Sequence, residues 1–216
     1  MKNLICLKAL IFLNAFLIMA QHNPANEYMH KRSPEELAKS FDNPERDEWQ
    51  KPEVVIQKMG DITGKTVADI GCGSGYFATK LAQHGSHVIC ADPNKELLAF
   101  AQKKKDSLQL PIETRLIPYN HCGLKPNEAD IALIVDTYHH IENRPAYFKE
   151  LYNLLKPNGK IIIVDFFKKE LPVGPPVKMK LSEDEVVKEL KSAGLKNISV
   201  DVKSLPYQYI IIVEKK

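Results

Sequence analysis

From Lys65 to Phe166, short runs of β-branched and aliphatic residues alternate with longer segments whose apolar positions recur at helical spacing. That alternation is the pattern of a parallel sheet with helices on its faces. It predicts strands near 66–70, 86–91, 112–117, 130–136 and 160–166, and helices near 75–84, 94–105 and 145–155. Pro145 opens the last of these helices and Pro157-Asn158-Gly159 stops it.

Beyond the fifth strand, Leu171-Pro172-Val173-Gly174-Pro175-Pro176 is too rich in proline and glycine for a regular element and reads as a surface loop. Ser182-Glu183-Asp184-Glu185 caps a helix to about Ala193, Gly194 ends it, and β runs follow near 197–203 and 207–214. Only Ser204-Leu205-Pro206 joins those two runs, so they must pair antiparallel, because parallel neighbours need a crossover. On the N-terminal side, residues 21 to about 33 are polar and read as mobile. Ser33-Pro34-Glu35-Glu36 then predicts a capped helix to Phe41, Asn43-Pro44 breaks it, and Lys51-Pro52 opens another toward Gly60. Residues 21–50 thus form a polar segment and short helical flap before a domain spanning 51–216, and no internal repeat is present.

The first twenty residues differ from everything after them. Lys2 and Lys8 precede an apolar run from Ala9 to Ala20 that is interrupted by Asn14 and shorter than the roughly 20 apolar residues a membrane span needs. The layout is that of a secretory signal, residues 1–20, with cleavage expected after Ala20 and the protein exported. An uncleaved N-terminal anchor is the alternative; after cleavage no stable membrane span is expected.

The 216 residues, 44% hydrophobic and 26% charged, suit one globular domain. A formal charge of +3, lowered further by loss of Lys2 and Lys8, leaves no field for nucleic acid, so Lys103-Lys104-Lys105 and Lys168-Lys169 read as solvated faces. Of the four cysteines, Cys6 lies in the signal, and Cys72, Cys90 and Cys122 form neither a CxxC pair nor a His/Cys cluster, so no metal site is expected. Cys72 and Cys90 approach one another if both sit at strand ends; whether they pair is left open.

Chemistry concentrates at the strand ends. Val67-Ala68-Asp69-Ile70-Gly71-Cys72-Gly73-Ser74-Gly75 sets glycines between a buried strand and a helix, at the carboxyl edge where open α/β sheets bind ligands. In dinucleotide enzymes the third glycine stands three after the second; here it is Gly75, two after Gly73. Asp69 suits an ammonium group or ties the loop through backbone hydrogen bonds. Val88-Ile89-Cys90-Ala91-Asp92 ends a second strand in an acid placed to accept both hydroxyls of a ribose, or else to begin the next helix with Pro93-Asn94.

These residues resemble the class I S-adenosylmethionine-dependent methyltransferases, in the branch of quinone C-methyltransferases and other small-molecule enzymes. The resemblance covers roughly residues 50 to 216: Asp69 to Gly75, Asp92, the stretch Asp130 to Asp136 leading into His139-His140, and Leu154-Leu155-Lys156-Pro157-Asn158-Gly159-Lys160. It implies a Rossmann-like α/β fold, with seven strands, mostly parallel, and the last antiparallel. It implies S-adenosyl-L-methionine as cofactor, held by Asp69, Gly71, Cys72, Gly73, Gly75, Asp92 and Asp136, and a small-molecule methyl acceptor as partner. Family members often carry an acid for the adenine amine after the third strand; this chain has Ile117-Pro118-Tyr119-Asn120-His121, and Asn120 is the nearest substitute. Tyr119 packs on the adenine or fills the sheet edge.

His139 and His140 follow the fourth strand, where methyl and acceptor should meet, and either is a candidate base, with Tyr138 of similar standing. Trp49, Tyr28 and Phe41 are candidates to hold the cationic sulfonium, although each equally suits packing, and Arg46-Asp47-Glu48-Trp49 equally suits a surface turn. Cys122 alone near the site argues against arsenite as acceptor. A non-catalytic nucleoside-binding exported protein is the alternative function; nicotinamide-dependent oxidoreduction is disfavoured by the glycine spacing. Export stands in tension with a methyl donor made in the cytoplasm.

Overall fold

The computed structural model describes residues 24–216, with the backbone alone at Pro24, Tyr28 and His30. The apolar N-terminal run, its cleavage point, Cys6 and the Tyr28 ring lie outside the described residues. Seven strands form one sheet: β1 (Thr66–Ile70), β2 (His87–Asp92), β3 (Ile112–Leu116), β4 (Ile131–Val135), β5 (Lys160–Phe166), β6 (Ile198–Asp201) and β7 (Gln208–Glu214). Their order is β3-β2-β1-β4-β5-β7-β6. The first five are parallel, while β7 runs antiparallel to both β5 and β6, as the short Ser204-Leu205-Pro206 connection requires. Chain order reverses between β1 and β4, so a crevice opens beyond their carboxyl ends.

Strand side chains alternate between two apolar layers. Ala68, Ile70, Ala132, Ile134, Ile161 and Ile163 pack under α7 (Arg144–Leu154) and α8 (Glu183–Ser192). Val67, Val88, Leu133, Ile162 and Val164 pack under α4 (Pro52–Met59), α5 (Tyr76–Gln83) and α6 (Lys95–Leu108). Both faces are covered, which is why β4 is an unbroken buried aliphatic run rather than an alternating one. Truncating a fully buried ring such as Phe148 in such a core costs about 3–5 kcal/mol.

Local signals set most helix limits. Ser33 and Ser182 each close a capping box, with Glu36 and Glu185 respectively, and Asn94 caps α6 by accepting from the Leu97 amide. Two helices depart from expectation. The segment read as polar and mobile contains α1 (Pro24–His30), where Ala25 is buried and Asn26 donates to the His140 carbonyl at 3.2 Å. The stretch that equally suited a surface turn contains α3 (Arg46–Gln50), whose Gln50 is wholly buried. With α2 (Pro34–Phe41), these helices lie over the carboxyl edge of the sheet, held by tertiary contacts that no local pattern displays. Among the described residues no helix is long and apolar enough to cross a membrane, and no cluster of three or more His, Cys, Asp or Glu could hold a metal ion.

Candidate functional site

The glycine loop turns sharply out of β1 because its glycines adopt backbone angles that side chains disfavour. Gly71 has φ +74° and a Cβ there would collide with Thr137; Gly73 has φ +53° and a Cβ would stand 3.1 Å from the Phe41 ring. The Gly73 amide donates to Asp92 Oδ2 at 2.8 Å, and the Asn94 amide donates to Oδ1 at 2.8 Å. Asp92 thus ties the loop and the start of the next helix together, and it lines the cavity. Burial pushes its pKa up to about 6, against the two amide hydrogen bonds.

Asp69 is 2% exposed, lines the cavity, and its Oδ2 has no hydrogen-bond partner. An orphaned buried carboxylate oxygen is costly unless something polar completes it. Burial raises its pKa to about 7, opposed by the Arg46 guanidinium and reinforced by Asp92. Cys72 and Cys90 form a disulfide that fastens the glycine loop to β2 beneath Gly73. Gly75 does not line the cavity: it begins α5, and a Cβ there would approach Ala101 to 2.9 Å, so its smallness serves helix packing rather than ligand contact.

A closed ring of polar side chains joins the flap to the sheet. Arg46 donates to Asp136 Oδ2 at 3.0 Å and to Gln50 Oε1 at 3.0 and 3.2 Å; Gln50 donates to Gln208 at 2.6 Å, and Gln208 donates to Asp136 Oδ1. The guanidinium also lies 4.2 Å over the Tyr76 ring. Asp136, at φ +53° just past β4, carries a pKa raised by burial to about 7, with Arg46 opposing. Two further anchors hold the flap: Ser74 and Lys104 on Asp42 at 2.9 and 2.5 Å, and Tyr76 and Lys80 on Asp47. Sequence reading missed Arg46, Gln50 and Gln208; the spacing of Arg46 and Gln50 on one helical face was the available signal.

The turn after β4 places its three candidates differently. His139 is buried and lines the cavity, and its Nδ1 sits 3.0 and 2.9 Å from the two oxygens of Asp165 at the end of β5. Asp165 also accepts from the His139 and Phe166 amides, at 3.3 and 2.8 Å. Burial works to lower the His139 pKa, and Asp165 more than offsets it, leaving it raised. His140 lines the cavity with its Nδ1 2.9 Å from Asn26 Oδ1. Tyr138 is not at the site: its ring is wholly buried against Phe148, and its hydroxyl donates to Glu189 at 2.7 Å on the far side of the sheet edge. Asn120 is also absent, being exposed and outside the cavity lining; Ile117, Pro118 and Tyr119 line the wall instead.

The cavity these elements enclose measures about 1210 Å³ and runs from Asp92 past Asp69 and Asp136 to His139. It is also lined by Trp49, Phe166, Met179, Pro206 and Tyr207, with Trp49 and Phe166 5.7 Å apart between ring centres. Phe41 of α2 reaches the glycine loop, and the Pro172–Pro175 loop supplies part of the rim.

Residues 68–163 match the family described as a methyltransferase domain. Over 124 residues, 56% of the chain, it is 27% identical to the ubiquinone biosynthesis O-methyltransferase of Aeromonas salmonicida, covering 49% of that protein. Over 115 residues, 51% of the chain, it is 30% identical to phosphoethanolamine N-methyltransferase 1 of Arabidopsis thaliana, covering 23% of that protein. The chain thus spans about half or less of the length of these curated relatives. A SAM-dependent methyltransferase from Aquifex aeolicus superposes with a TM-score of 0.79 and 28% identity, covering 86% of this chain and all of that one. A phosphoethanolamine N-methyltransferase of Haemonchus contortus bound to phosphomonomethylethanolamine and S-adenosylhomocysteine shares the fold, with a TM-score of 0.65 at 16% identity over 77% of this chain and 52% of that one.

Proposed function

With a class I S-adenosylmethionine-dependent methyltransferase domain as its premise, we propose that this chain transfers the methyl group of S-adenosylmethionine to a small acceptor held under its helical flap. The observation that carries the proposal is Asp69 Oδ2, a buried carboxylate oxygen lacking a partner beside a loop whose glycines leave the backbone open to a ligand. The donor is cationic at its amino group and at its sulfonium, and this end of the cavity offers Asp69, Asp92 and Asp136. Asp92, at the end of β2, takes the ribose hydroxyls, and Asp69 takes the ammonium. Arg46 lines the cavity 3.0 Å from Asp136, and it meets the donor's carboxylate by exchanging part of its hold on Asp136, Gln50 and the Phe41 carbonyl. Tyr119 or Ile117 serves the adenine in place of Asn120.

When bound, the donor supplies a methyl carbon open to in-line attack, so positioning and exclusion of water contribute much of the acceleration without a protein nucleophile. The flap and the Pro/Gly loop supply that exclusion, and a cavity of about 1210 Å³ exceeds the roughly 300–1,000 Å³ of a pocket for one drug-sized ligand, leaving room for donor and acceptor together. The Cys72–Cys90 disulfide supports the export reading of residues 1–20, since such bonds persist in oxidising compartments.

Calorimetry with S-adenosylmethionine, S-adenosylhomocysteine and NAD tests the donor assignment. Binding of the first two and not the third is expected; binding of NAD alone would overturn it. Transfer of labelled methyl from S-adenosylmethionine to a supplied small acceptor separates an enzyme from a protein that only binds the nucleoside.

A further inference from the structure

The glycine loop is tied to its neighbouring strand by one covalent bond, and that bond lies in the cavity wall. Cys72 stands between Gly71 and Gly73 and lines the cavity at 8% exposed, whereas Cys90, its disulfide partner on β2, is fully buried. The packing around them is closed: a Cβ at Gly75 would stand 3.9 Å from Cys90 Sγ, and Leu98 and Ala101 of α6 belong to the same apolar layer. Two separate thiols need more room than a bonded pair, so breaking the bond makes one side yield. β2 is held fast, laddered to β1 on one side and β3 on the other, with Cys90 in register with Asp69 and Thr114. The loop is held less firmly, because the Gly71 and Cys72 amides both rest on one carbonyl, that of Ala91, at 2.7 and 3.2 Å. The next amide along, that of Gly73, is the one bonded to Asp92. A shift at Cys72 therefore reaches the carboxylate assigned to the ribose through a single peptide unit.

Resting on the methyltransferase reading above, we propose that the Cys72–Cys90 disulfide is a redox switch on donor binding. The bonded pair positions the loop and Asp92 for S-adenosylmethionine, reduction loosens them, and bound donor shields the bond from reductants. The reductant is a small dithiol. Its thiolate reaches the Cys72 sulfur from the cavity and bonds to it, and the electron pair of the broken Cys72–Cys90 bond leaves on Cys90, which takes up a proton. The reductant's second thiolate then displaces the Cys72 sulfur, which is protonated in turn. The chain gains two electrons and two protons, and the reductant departs as a cyclic disulfide. A donor lying along Gly71–Gly73 covers Cys72 and closes this approach. By reciprocity, the factor by which reduction weakens donor binding equals the factor by which the donor disfavours reduction. Donor binding is then strongest in an oxidising compartment, where the export reading of residues 1–20 places the chain.

The test uses the full chain with S-adenosylhomocysteine as probe. Calorimetry compares the oxidised chain with the same chain in dithiothreitol, each state checked by thiol titration and far-UV circular dichroism. Binding about tenfold weaker after reduction, restored on reoxidation, is expected. In dithiothreitol redox buffers, saturating S-adenosylhomocysteine should lower the reduction midpoint of the pair by the same tenfold, about 30 mV. Cys122→Ser should leave both responses in place. Paired Cys72→Ala and Cys90→Ala should bind about tenfold more weakly than the oxidised parent and ignore dithiothreitol, which keeps the test open if the reduced parent unfolds. A bond serving stability alone would lower the melting temperature and leave affinity and midpoint unmoved. Affinities within twofold in the two states, or a midpoint that the ligand does not shift, overturn the proposal. An oxidised chain that does not bind S-adenosylhomocysteine instead sinks the donor reading, and this one with it.

Discussion

The cavity's donor end is assembled from residues close in the chain: Gly73 meets Asp92, 19 positions on, across one loop and one strand. The flap that covers the cavity is held by residues far apart. Arg46 meets Asp136 across 90 positions, Gln50 meets Gln208 across 158, and His140 meets Asn26 across 114. The Gly73–Asp92 contact therefore needs only a correct β1-loop-β2 unit, stapled by Cys72–Cys90, whereas the cover over the cavity exists only while the flap is docked.

The sharpest way to break this contrast is at Asp92. Asp92→Ala removes two amide hydrogen bonds to a charged group together with the ribose contact, and S-adenosylhomocysteine affinity by calorimetry should fall about 100-fold or more. An affinity within threefold of the parent would mean the donor end is not built around this carboxylate.

Paired Cys72→Ala and Cys90→Ala substitutions should lower unfolding stability in urea by about 3 kcal/mol, as expected for a loop of this separation, 18 residues. The loss should be absent when parent and variant are both compared under reducing conditions. In the polar ring, Arg46→Ala leaves Asp136 and Gln50 without their cation; a loss of about 2 kcal/mol in stability and about tenfold in donor affinity is expected. Unchanged melting would show that the polar ring does not hold the flap.

A smaller effect follows from protons. Burial raises Asp92 to about 6 and Asp69 and Asp136 to about 7, so the folded protein binds more protons than the unfolded chain between their ordinary range and those values. Stability of the ligand-free protein is then fully present below about pH 4 as far as these groups are concerned and is lost as pH rises through about 7. Melting temperatures measured between about pH 5 and about pH 8 should fall, and saturating S-adenosylmethionine should flatten the slope by pairing Asp69 with an ammonium. The smallest effect belongs to Asn120→Ala, exposed outside the cavity, which should change donor affinity by less than about twofold.

Much of this was legible beforehand. Strands and helices of the sheet region fell within a few residues of their observed limits because buried aliphatic runs, capping boxes and proline-glycine stops are local signals. Asp69, Gly71, Gly73 and Asp92 were legible because strand-end placement follows from chain order alone. Tyr138 and Asn120 were misplaced since nothing local says which way a side chain leaves a turn: one went into the core, the other into solvent. Arg46 and Asp165 went unread because each takes its meaning from a partner on another element.

What the amino-acid sequence determined by itself was the alternation of elements, the antiparallel end of the sheet and the donor loop, since each depends on propensity, periodicity and short connections. Only the tertiary structure decided that Cys72 and Cys90 join, that an acid on β5 orients His139, and that an arginine in a five-residue helix closes the cavity. Those contacts arise when the sheet brings its strand ends to one edge, and a burial or a distance across that edge is not written in any one segment.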